Sequence, residues 1–136
     1  MTFSPKILRL SLLILVMLIS FVPFGSVHSL ESSDNLPDCM SETNCIRINW
    51  AVEDLDQSFE NVLKIIPDLK GTEITEQNNS YIHAEVTSRI MHYVDDLEIK
   101  KIQSKGILQI RSESRIGSID VGVNRMRVIN LLNEIS

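Results

Sequence analysis

One hairpin constrains this chain more than any other stretch. Leu97 and Ile99 stand two apart, Leu108 and Ile110 stand two apart, and Gln103-Ser104-Lys105-Gly106 lies between the pairs. Side chains two apart share one face of a strand. The two apolar faces coincide only when Ile99 lies opposite Ile110, with Gly106 taking a left-handed backbone to leave the turn. That register places Glu98 across from Arg111 on the other face. It also sets Asp96 across from Glu113, with Arg111 and Arg115 on its diagonals. One face is greasy and the other is a ladder of acids and bases.

Upstream, a second hairpin is predicted from residue 72. Setting Ile74 opposite Ile82 requires a three-residue loop, Gln77-Asn78-Asn79, with Asn79 left-handed. Its second strand buries Ile82, Ala84 and Val86 and shows His83, Glu85 and Arg89 outward. Helices are predicted on either side of the strands. Over 50–66, Leu55, Phe59, Val62, Leu63 and Ile66 form one helical stripe, with Glu53, Asp54 and Asp56 at the start and Pro67 as the stop. After Ile116-Gly117-Ser118, Asp120 is the expected N-cap of a last helix. That helix has a stripe of Met126, Ile129, Leu132 and Ile135, broadened by Val128 and Leu131. Helix, four strands and helix give an α+β fold, a four-stranded antiparallel sheet with both helices on its greasy face.

The first 29 residues read as a separate signal peptide. Lys6 and Arg9 precede fifteen mostly apolar residues at 10–24, and Val27 and Ser29 are compact residues before a cut at Leu30. A membrane span needs about 20 apolar residues. The expected location is therefore extracytoplasmic: periplasm, thylakoid lumen or extracellular space. The membrane is touched only through the N-terminal segment, if it stays uncleaved. Residues 30–49 read as a polar tail and a cysteine loop, and 50–136 as the single domain. In an oxidising compartment Cys39 and Cys45 are expected to form a disulfide. No further cysteine supplies the four ligands of a zinc site.

Charge narrows the partners. Residues 30–98 hold 15 acids and 4 bases, and residues 99–136 hold 3 acids and 7 bases. That is a net −11 followed by +4, without the uniformly basic footprint of a nucleic-acid binder.

Asp95-Asp96-Leu97-Glu98, the run from Arg111 to Gly117 (Arg-Ser-Glu-Ser-Arg-Ile-Gly) and the run from Asp120 to Arg127 (Asp-Val-Gly-Val-Asn-Arg-Met-Arg) together resemble the domain of unknown function 1499. This is a family of small bacterial and plant proteins. Cys39 and Asn44-Cys45 resemble its cysteine loop, with Met40 and Thr43 where prolines are common. The resemblance spans about residues 37–132 and implies no particular activity, since the family has none assigned.

The candidate site is a polar cluster: Arg89, Asp95, Asp96, Glu98, Arg111, Arg115, Asp120, Asn124 and Arg125. Arg89, Arg111, Arg115 and Arg125 could converge as forks on a carboxylate or phosphate. Alternatively, Asp95, Asp96, Glu98 and Asp120 neutralise them and the cluster is structural. Arg125 and Arg127 oppose the dipole of the last helix, so each needs an acid or an anionic ligand. No catalytic residue, metal or cofactor is assigned. The expected role is a non-enzymatic module binding a protein or a small anionic ligand. Two alternatives stay open: a hydrolase or metal-dependent enzyme using Asp95, Asp96 and His83, and a scaffold of a membrane-associated complex. Asp95 and Asp96, adjacent in a strand, face opposite sides.

Overall fold

The computed structural model describes residues 34–135. The signal-peptide expectation at 1–29 lies outside them. The described residues belong to one compact unit. Its elements are β1 (Cys45–Ala51), α1 (Leu55–Ile65), β2 (Thr72–Gln77), β3 (Tyr81–Thr87), β4 (Val94–Ile102), β5 (Ile107–Ser114) and α2 (Val123–Ile135). The sheet is antiparallel with order β1-β5-β4-β3-β2.

The sheet has five strands where four are expected. Ile46, Ile48 and Trp50 alternate with Arg47 and Asn49 in β1, and Ile48 pairs with Ile110 of β5. These apolar residues pack on the core while their polar neighbours face the other way. The polar composition of the cysteine loop masks this short alternation. The strand also delays the first helix, which starts at Leu55 after Asp54 Oδ1 accepts the Gln57 amide at 2.9 Å. Pro67 sits in a 3-10 turn, Ile66–Asp68, that ends it.

The β4–β5 hairpin has the expected register. Ile99 pairs with Ile110, Glu98 with Arg111 and Asp96 with Glu113, and Gly106 is left-handed at φ 62°. The β2–β3 hairpin differs. Ile74 lies opposite Ala84, Gln77 opposite Ile82, and a bulge falls between Ile74 and Glu76. One extra residue shifts the face, so Asn79 does not need a left-handed backbone. Only His92 and Val121 have positive φ among the described non-glycine residues. Arg89 is not on the strand: β3 ends at Thr87, and Arg89 belongs to the turn before β4.

Both helices pack on one sheet face. Phe59, Val62 and Ile66 meet Ile82, Ala84, Leu97, Ile99, Leu108 and Ile110, with Val128 and Leu131 from α2. The stripe of α2 is rotated from the expected one. Asn124, Val128 and Leu131 are buried, whereas Met126 and Ile129 are exposed. Val128 and Leu131 are the centre of the buried face, not its margin.

Candidate functional site

The rotation of α2 turns Asn124 and Arg127 toward the sheet. Arg127 Nη2 reaches Asp95 Oδ2 at 2.6 Å, with side-chain exposures of 12% and 10%. Its Nη1 donates to Ser112 Oγ at 2.7 Å and to Asn124 Oδ1. Ser112 donates to the same Asn124 oxygen, while Asn124 Nδ2 donates to Ser114 Oγ and to the Asn44 carbonyl at 2.9 and 3.0 Å. Asp95, Ser112 and Ser114 reach this side because they share the parity of Leu97 and Ile110 on their strands. A buried charge is tolerable only when paired and hydrogen-bonded, and here each group has its partner.

The start of α2 is held from two directions. The Asp120 carboxylate accepts the amides of Gly122 and Asn124, both at 2.8 Å. Burial pushes that carboxyl upward, but the amides outweigh it and hold it below the ordinary aspartate range. The disulfide loop supplies the second hold. Cys39 and Cys45 are bonded, the Thr43 carbonyl accepts the Asp120 amide at 3.0 Å, and Asn44 Nδ2 donates to the Gly117 carbonyl at 2.8 Å.

Beside the Asp95–Arg127 pair opens a cleft of about 730 Å³, within the usual range for small-molecule sites. Leu69, Val86, Val121, Val123 and Met126 give it apolar walls, and Lys70 and Arg89 contribute to its lining. Neither cation has an ion-pair partner among the described residues. Gly71 lets the chain pass close to β3: a Cβ there would lie 2.4 Å from the Thr87 carbonyl oxygen.

The opposite sheet face carries the ladder. Arg111 pairs with Glu98 at 2.6 Å and with Glu113. Arg115 bonds Asp96 at 2.7 Å and Glu85 at 2.6 Å, contacts that hold its guanidinium more firmly protonated. Burial pushes the Asp96 carboxyl up, but hydrogen bonds from Arg115 and His83 prevail and hold it below its ordinary value. His83 Nε2 lies 2.6 Å from Asp96 Oδ1, and its Nδ1 lies 3.0 Å from Thr75 Oγ1, a residue set by the bulge. Tyr81 donates to Glu98 at 2.8 Å, and burial followed by that carboxylate pushes its phenol well above the ordinary range. Arg47 stands directly across from Arg111 but turns to Asp38 and the Leu36 carbonyl.

A family model described as a protein of unknown function, DUF1499, matches residues 29–135, which takes in every element of the described domain. The chain belongs to the DUF1499 family. No curated protein matches the sequence.

In this DUF1499 domain the nine candidate residues fall into five places. Asp96, Glu98, Arg111 and Arg115 form the ladder on the open face. Asp95 and Asn124 lie on the core side with Arg127, and Asp120 caps α2. Arg89 lines the cleft, whereas Arg125 lies beside the disulfide loop. The four arginines Arg89, Arg111, Arg115 and Arg125 therefore do not converge on one anion. Asp95 and Asp96 point to opposite faces, and β4 runs without a bulge between them. Among the described residues no three His, Cys, Asp or Glu side chains gather as metal ligands.

Sequence reasoning missed Arg127, Ser112 and Ser114 as a unit. The signal was present: counting back from Leu131 and Val128 puts Asn124 on the buried stripe, and a polar residue there demands partners. It also missed Lys70 and Thr75, whose placement depends on a turn and a bulge.

Proposed function

We propose that this DUF1499 chain is an exported, non-enzymatic binding module. Its site is the cleft between α2 and the Leu69–Thr72 side of the sheet, not the ladder face. The ligand is small, largely apolar and anionic. The observation that supports this reading is the unpaired state of Lys70 and Arg89 in a cleft with apolar walls. On the ladder every arginine already has carboxylate partners, which leaves little positive charge to attract a ligand. The disulfide is consistent with the export part of the proposal. Calorimetric titration with decanoate tests it. Saturable binding that weakens in Arg89→Gln and is lost in the cleft-filling Met126→Trp supports the module. Absence of binding, or equal binding by Met126→Trp, overturns it.

A hydrolase reading draws support from one chain of contacts, Thr75 Oγ1 to His83 to Asp96. A nucleophile, base and acid in sequence is the arrangement of covalent hydrolases. Here the acid is also held by Arg115. Turnover of p-nitrophenyl acetate that disappears in Thr75→Ala and His83→Ala would favour it; identical rates in wild type and both variants would remove it.

A further inference from the structure

The large apolar residues exposed on this domain are not scattered. Among the described residues, eight of the ten lie in two neighbouring loops and the helical turn that follows them: Ile90, Met91 and Tyr93 in one, then Ile116, Ile119 and Val121 in the other, leading to Val123 and Met126. The loops adjoin at one end of the sheet, where the Arg115 amide donates to the Val94 carbonyl at 3.3 Å. The turns at the opposite end, Asn78-Asn79-Ser80 and Gln103-Ser104-Lys105-Gly106, are polar.

Exposure here runs against folding economy. Val121 is 92% exposed and holds φ at 55°, a left-handed backbone that a β-branched residue takes only under strain. The Asp120 carboxylate, by gripping the Gly122 amide, fixes the turn that presents it. Ile90 is 84% exposed in a turn closed by Ser88 and Tyr93. Cations flank these tips, with Glu42 of the disulfide loop lining the groove beside Ile119 and Arg125. Arg89 and Arg125 have no ion-pair partner among the described residues, and Asp120, the one acid in the two loops, is engaged by amides.

We infer that this end of the domain docks on an anionic lipid bilayer. Aliphatic tips enter the headgroup–acyl boundary, Tyr93 sits at the interface, and Arg89 and Arg125 meet lipid phosphates. Separate protruding tips suit a fluid interface better than a protein partner, which needs a matched surface. No helix among the described residues is long and apolar enough to cross a membrane, so the docking is peripheral. The docking patch shares Arg89, Val121, Val123 and Met126 with the cleft, but Ile90, Ile116 and Arg125 lie outside the cleft lining, so variants there separate docking from ligand binding.

Co-sedimentation of residues 32–136 with phosphatidylcholine vesicles, with and without phosphatidylglycerol, tests it. Omitting the apolar stretch at 10–24 makes binding report on the domain alone. The expected result is binding that requires phosphatidylglycerol and falls as salt rises. Arg89→Gln and Arg125→Gln should each weaken it roughly fivefold. Ile90→Glu with Ile116→Glu should weaken it by on the order of tenfold or more with the melting temperature and decanoate binding retained. No vesicle binding, binding indifferent to phosphatidylglycerol, or equal binding by the Ile90/Ile116 variant overturns it. So does self-association without lipid that the same variant abolishes, which would make the patch an interface between copies.

Discussion

Arg127 of α2 and Asp95 of β4 form an ion pair at 2.6 Å on the core side of the sheet, within reach of Ser112 and Asn124. Two residues 32 apart in sequence thereby fix β4 and α2 to each other next to the cleft.

Breaking that pair from one side should be costly. Arg127→Met leaves the Asp95 carboxylate buried without its cation, and loss of a partner in a buried pair costs about 3–5 kcal/mol. Replacing both, as Asp95→Leu with Arg127→Met, should recover most of that loss. Urea denaturation of the single and double variants measures the difference. Equal destabilisation in both would mean that the pair is not the source.

Gly71 should not tolerate a side chain. Its φ is 75°, and an added Cβ would meet the Thr87 carbonyl oxygen at 2.4 Å, against backbone that cannot swing aside. Gly71→Ala should destabilise by at least about 1–3 kcal/mol. Gly106→Ala, also left-handed but facing open space, should cost less. Thermal melts of the two variants give the ranking.

Stability should fall at both pH extremes for identifiable reasons. The Asp96 carboxyl is held below its ordinary 3.8 in the folded state. A depressed value stabilises the fold above the unfolded value, and that stabilisation is lost as pH drops below about 4 through the folded value. Asp96→Asn should flatten this acid limb. Tyr81 is raised from 10.0 by burial and then by Glu98. Ionisation of the unfolded chain therefore favours unfolding once pH climbs past about 10, and Tyr81→Phe should flatten the alkaline limb. Denaturation midpoints across pH check both signs.

Much of the architecture was legible because local patterns and long-range pairing agree. Leu97, Ile99, Leu108 and Ile110 share one face only in the register observed, so Glu98 opposite Arg111 followed from alternation alone. β1 was not legible because five alternating residues sit inside a polar, cysteine-bearing stretch whose composition suggests loop. The stripe of α2 was misplaced because Met126 and Ile129 look like core residues, yet they are exposed and Asn124 is buried. The candidate site suffered most. Whether an arginine is neutralised or free depends on which face each element turns to its neighbour, and a rotation of one helix exchanged Arg125 for Arg127.

On this reading the cleft, not the ladder, receives the ligand. Amide chemical shifts of the labelled domain during decanoate titration test it most directly. Binding in the cleft should give saturable shifts at Gly71, Val86, Arg89 and Val123, with Arg111 and Arg115 unmoved. Shifts centred on Arg111 and Arg115, or none anywhere, would contradict it.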